Sequence, residues 1–176
     1  MRKRTMSELE RLTVEEYKNQ EKIPLVVILD NVRSALNVGS AFRTGDAFAL
    51  EEIALCGITA KPPHREIMKT ALGADQSVDW TYFEETEMAL VHYQNKGYKV
   101  FAVEQTLNSI ALQKFEWPET PVAIVFGNDV EGVSDKVIEK VDACIEIPQF
   151  GTKHSLNISV SLGIVLWELF TKHKGW

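Results

Sequence analysis

The chain has 176 residues, 45% of them hydrophobic and 25% charged, and it carries a formal net charge of −6. That length supports one domain with a full core and is short for two, and the composition excludes disordered and fibrous classes. The acidic balance excludes a protein that coats nucleic acid nonspecifically, though not a local basic face, and no apolar run nears the roughly 18 residues of a membrane span.

The basic start, MRKRT, leads into polar sequence and not into a signal-peptide core, so a cytoplasmic protein with no membrane contact is expected. Ser7 with Glu10 and Thr13 with Glu16 both fit the S/T-x-x-E capping box. Two short helices are therefore expected in an N-terminal extension over residues 1–24. Its Arg2, Lys3, Arg4 and Arg11 are either scattered solvated charges or part of a basic face. After Pro24 strands and helices alternate. PLVVILD reads as a strand, residues 38–48 as a helix and residues 53–56 as a strand, followed by a polar loop with Pro62, Pro63 and His64 and then REIMKTALGA. Next come a strand at 78–83, a helix at 85–95 stopped by Gly97, and strands at 99–103 and 122–126. A short helix after Ser134, a strand at 143–147 and a terminal helix complete the chain. Short, continuous apolar strands separated by helices predict an α/β fold, a parallel sheet covered by helices on both faces, in one domain over residues 25–176. Cys56 and Cys144 fall at the ends of core strands and the histidines are dispersed, so no metal is expected.

The terminal helix carries Leu162, Val165, Leu166 and Leu169 on one side, and Ile158, Ile164, Trp167 and Phe170 widen the apolar surface. One sheet does not cover so wide a stripe, so the helix is either deep inside or shared with a second subunit. Gly163, costing about 1 kcal/mol against Ala in a helix, fits a place where another backbone approaches. A homodimer is expected.

Three segments carry the functional signal: NVRSALNVGSAFRTGDAF (31–48), IVFGNDVEGVSD (124–135) and IPQFGTKHSLNISV (147–160). In the first, Asn37, Gly39 and Arg43 surround a strand-to-helix turn, and a lone Arg there is ordinarily a surface ion pair. In the second, Gly127 follows an apolar strand and lets a ligand approach the backbone at the strand's carboxyl end, where open parallel sheets bind ligands. In the third, Ser155-Leu156-Asn157 opens a helix whose first turn has unpaired N–H groups to offer a ligand. The adjacent His154 and Ser155 do not make a hydrolytic triad, because adjacency in sequence is not the required geometry.

In this order and spacing the three blocks resemble the motifs of the SpoU (TrmH-type) RNA 2′-O-ribose methyltransferases, in the SPOUT superfamily, from about Leu25 onward. The resemblance implies a C-terminal deep trefoil knot and S-adenosylmethionine held mainly by backbone groups, with S-adenosylhomocysteine as product. The matching cofactor positions are Val103, Gly127, Ile147, Ser155 and Leu156. It also implies a homodimer acting on tRNA or rRNA, with Arg43 as the catalytic residue and Asn37, Ser155, Asn157 and Asp129 beside it. The family usually has Glu where Asp129 stands, so either Asp129 or Glu131 takes that role. A non-enzymatic RNA-binding module and a base methyltransferase on the same scaffold are the alternatives.

Overall fold

The structure, a computed structural model, describes residues 1–5 and 7–176. Its centre is a sheet of seven parallel strands in the order β3-β2-β1-β6-β4-β7-β5. The strands are β1 (Ile23–Asp30), β2 (Leu50–Cys56), β3 (Asp79–Phe83), β4 (Lys99–Val103), β5 (Ile110–Ala111), β6 (Val122–Phe126) and β7 (Ala143–Glu146). The helices are α1 (Val14–Asn19), α2 (Ala35–Ala47), α3 (Arg65–Ala71), α4 (Ala74–Ser77), α5 (Thr86–Asn95), α6 (Asp135–Ile138) and α7 (Ile158–Lys174).

Strand alternation divides the core into two layers, as a sheet buried on both faces requires. Leu25, Val27 and Leu29 of β1 with Val122, Ile124 and Phe126 of β6 pack beneath α2, α3 and α7. Val26 and Ile28 with Ala123 and Val125 pack on the opposite side against α5 and α6. Pro24 is tolerated within β1 because the register breaks between Ile23 and Val26. Between α2 and α3, a Cβ on Gly39 would lie 2.3 Å from the Ile67 carbonyl oxygen, so only glycine permits their approach.

At the end of β1, Asp30 is 2% exposed. Its carboxylate accepts Thr86 Oγ1 at 2.5 Å, Asn31 Nδ2 at 2.9 Å and the Ser134 N–H at 3.1 Å. One buried carboxyl group thus joins β1, the start of α5 and the loop after β6. Beside it, burial pushes the Cys56 thiol up to about 12.

Several boundaries differ from the sequence expectations. Ser7 and Glu10 form no capping box. Thr5 donates its N–H to Glu8 at 2.8 Å, and only one 3-10 turn, Ser7–Leu9, follows. Thr13 and Glu16 do form the box at the start of α1. The strand expected from residue 53 begins at Leu50, its start hidden in sequence by Glu51 and Glu52, whose carboxylates accept the Tyr98 and Thr81 hydroxyls. β5 and its following 3-10 turn, Leu112–Lys114, are too short to leave a periodic signal.

In α7, Leu162, Val165, Leu166 and Leu169 are buried in the chain's own core, while Val160, Ile164 and Trp167 stay 50%, 40% and 52% exposed. A Cβ added at Gly163 would meet nothing within 4 Å, so among the described residues no backbone packs closely there. Gly39→Ala is expected to destabilise the fold by about 1–3 kcal/mol through forced separation of α2 and α3. Urea unfolding should show this as a lower midpoint with an unchanged slope.

Candidate functional site

The carboxyl ends of β4, β6 and β7 open into a cleft of about 550 Å³, within the range of small-molecule sites. Three loops form it, one after each strand. The loop after β6 is closed on itself: Asn128 and Gly132 exchange backbone hydrogen bonds at 3.1 and 3.2 Å, and Asn128 Oδ1 accepts the N–H groups of Val130 and Glu131. Gly127 lines the cleft, yet its smallness serves the loop as well. A Cβ there would lie 2.0 Å from the Gly132 carbonyl carbon, so the expected freedom for a ligand is first of all freedom for the loop's own backbone.

The first turn of α7 also departs from expectation. Its N–H groups are not left for a ligand: Ser159 donates to Asn157 Oδ1 at 2.9 Å, Val160 to the Asn157 carbonyl at 3.0 Å, and Ile158 to Asp129 Oδ1 at 3.4 Å. Asn157 is the cap, and Ser155 and Leu156 precede the helix as exposed loop on the rim.

Asn37, in the first turn of α2, donates from Nδ2 to Asp129 Oδ2 at 3.1 Å across 92 positions of sequence. The three blocks therefore meet at Asp129, which accepts from Asn37 with one oxygen and from the start of α7 with the other. Glu131 is exposed, and among the described residues its carboxylate pairs only with Arg33, at 3.9 Å. Of the two carboxylates, Asp129 is the one built into the convergence.

Val103, Gly127, Ile147, Ser155 and Leu156 all line this cleft. Arg43 does not. Six residues beyond Asn37, it is about 9 Å further along the helix axis. It is exposed, lines a second groove, and has no ion-pair partner among the described residues. Near the start of the chain, Arg2 is paired with Glu8 at 2.6 Å and, with Thr5, holds that carboxyl down to about 2. Lys3 and Arg4 are exposed.

The walls of the cleft combine apolar Val103, Phe126, Ile147 and Leu156 with the carboxylates of Glu104, Asp129, Glu131, Asp135 and Glu146, and with no Lys or Arg. Such walls suit a ligand with a flat apolar part and positive charge and repel a free phosphate. Glu104 and Gln105 also line the cleft. Sequence reasoning stops at Val103 because polar residues after a strand read as ordinary loop. Among the described residues no cluster of three metal-ligating side chains exists, and no helix is long and apolar enough to cross a membrane.

A family model described as the SpoU rRNA Methylase family matches residues 24–167. The tRNA (guanosine(18)-2'-O)-methyltransferase of Aquifex aeolicus is 30% identical over 150 residues, covering 82% of this chain and 67% of that protein. The crystal structure of the A. aeolicus TrmH/SpoU tRNA modifying enzyme superposes with a TM-score of 0.81 at 25% identity, covering 92% of this chain and 81% of that one. An AdoMet-bound rRNA methyltransferase from Sinorhizobium meliloti gives 0.77 at 26% identity, covering 91% and 59%. The chain spans about two thirds or less of the length of the first curated relatives it matches.

Asp129→Ala removes both of its hydrogen bonds and is expected to cost roughly 0.5–1.5 kcal/mol in urea unfolding, reduced by exposure. Glu131→Ala, which removes only a long exposed ion pair, should change stability by less than about 0.5 kcal/mol.

Proposed function

Because the chain belongs to the SpoU rRNA Methylase family, we propose that it transfers a methyl group from S-adenosylmethionine to a ribose 2′-hydroxyl of tRNA or rRNA. The observation that carries this reading is the convergence of the three sequence blocks on Asp129 at the rim of a cleft with apolar and acidic walls. Those walls fit the cofactor: the apolar side chains accept adenine, and the carboxylates face a ligand with sulfonium and ammonium charges. Val103, Gly127, Ile147, Ser155 and Leu156 hold it. The cofactor supplies a methyl on positively charged sulfur, leaving S-adenosylhomocysteine.

The chain's own task is alignment. Asn37, Asp129 and Asn157 fix the relation between the starts of α2 and α7, and Ser155 stands on the rim where the ribose enters. Arg43, exposed, unpaired among the described residues and on a different surface from its own chain's cleft, holds an RNA phosphate bidentately and, in a homodimer, stabilises the developing alkoxide at the cleft of the other copy. A guanidinium stays protonated at neutral pH, so the hydroxyl proton passes to a phosphate oxygen or to water.

The homodimer belongs to the same proposal. Val160, Ile164 and Trp167 of α7 with Leu36 of α2 leave an apolar face uncovered, and the space beside Gly163 admits a partner's backbone. Arg43 lies on the same exposed side of α2 as Leu36, so closing the face draws it out of bulk water. The deep trefoil knot, the single methyltransferase domain from about residue 25 with its short N-terminal extension, and a cytoplasmic location complete the proposal.

Incubation with labelled S-adenosylmethionine and bulk tRNA or rRNA, followed by digestion to nucleosides, tests it. Ribose-methylated nucleosides are expected. A methyl on the base would favour the base-methylating alternative, and RNA binding without transfer would favour the non-enzymatic one. Arg43→Lys and Arg43→Ala should each remove most single-turnover methylation while leaving S-adenosylhomocysteine affinity unchanged.

Ile164→Asp and Trp167→Asp are expected to yield a folded monomer by light scattering. Leu166→Asp should unfold the protomer, since that side chain is fully buried within it.

A further inference from the structure

Two adjacent polar side chains outside the three sequence blocks join all three loops of the cleft. Where β4 ends, the Glu104 N–H donates to the Ile145 carbonyl of β7 at 3.1 Å. Its carboxylate turns toward the loop after β6, where Oε2 accepts the Val133 N–H at 3.1 Å, while Oε1 accepts the Gln105 N–H at 2.8 Å. The fit is close: a Cβ on Gly132, which has φ of +69°, would lie 2.2 Å from Glu104 Oε2. Gln105 then donates from Nε2 to the His154 carbonyl at 2.6 Å. That bond is the only hydrogen bond among the described residues that ties residues 149–156 to the rest of the protein.

We infer that Glu104 and Gln105 are positioning residues for the methyl donor, a reading that rests on the cofactor role proposed for this cleft. Glu104 sets the loop carrying Gly127 against the end of β4. Gln105 sets the loop carrying Ser155 and Leu156 against the same point. A ligand held by backbone groups of several segments depends on their spacing, and loops fixed beforehand spare it the entropy of ordering them. The carboxylate suits this task because hydrogen bonds to a charged acceptor are stronger than neutral ones.

Glu104→Gln keeps the shape but turns an amide NH₂ against one of two N–H donors. Gln105→Glu likewise keeps the shape and sets a carboxylate against the His154 carbonyl. Titration calorimetry with S-adenosylhomocysteine should show Kd raised about tenfold or more in each variant, the scale of one hydrogen bond lost and replaced by repulsion. The cofactor KM should rise with it, while the KM for bulk tRNA or rRNA stays constant and kcat at saturating cofactor stays close to normal. Hydrogen exchange should accelerate at Val133 in Glu104→Gln and across residues 149–156 in Gln105→Glu. Gln105 is exposed, so its variant is expected to keep the normal thermal midpoint.

Unchanged Kd in both variants, with normal binding by the unaltered protein, would overturn the positioning role and leave the methyltransferase reading intact. The positioning role is equally overturned if Kd rises only alongside a collapsed thermal midpoint in both. Absence of binding by the unaltered protein would overturn both readings.

Discussion

A carboxylate excluded from water has to be surrounded by donors, and Asp30 meets that demand with groups from three separate parts of the chain. Since the strand it ends is central, the demand fixes more than one loop. Thr86 brings the start of α5 to the carboxyl edge of the sheet. Ser134 brings the far end of the loop after β6, whose near end is held by its own Asn128–Gly132 pairing.

The distribution of charge matches the two very different partners proposed for the protein. Carboxylates line the cleft, and Arg33, Arg43 and Lys153 lie outside its walls. A cation is drawn inward, whereas a polyanion is refused by the cleft and meets positive charge only around it. The net charge of −6 is then compatible with RNA recognition, because local potential governs a docking face and the total governs nonspecific adhesion.

The sheet is legible in the sequence wherever apolar runs are uninterrupted: the strands at 99–103 and 122–126 have the expected bounds. Legibility fails at Leu50, where acidic residues inside a strand are satisfied by hydroxyls from distant segments, and at Ile110, where two residues are too few for a period. The five cofactor positions named from the resemblance and Asp129 lie on the cleft lining, whereas Asn37, Arg43 and Asn157 do not, and the convergence of Asn37 on Asp129 is a contact between segments 92 positions apart, which no local pattern encodes. Gly127 stands out in the sequence for its position, while the neighbour that requires it, Gly132, is visible only once the loop is closed. Arg43 shares a helix with Asn37, and helical rise and rotation carry it to a different surface.

The strand order also bears on how the chain is made. β1, β2 and β3 with α2 and α3 lie in the first half of the sequence and can assemble as soon as they leave the ribosome. The other edge of β1 has to wait: Leu25 pairs with Val122, 97 positions later. Until β6 is synthesised, a long apolar strand stands with its hydrogen-bonding groups unpaired, open to capture by another nascent chain. When β6 arrives it must enter between β1 and an already synthesised β4, and β7, later still, between β4 and β5, so the sheet closes from its interior and not from its edge. Such non-local closure has to be reached across long loops before pairing rewards it, so it slows folding relative to a fold of local contacts and lengthens the time that edge stays exposed.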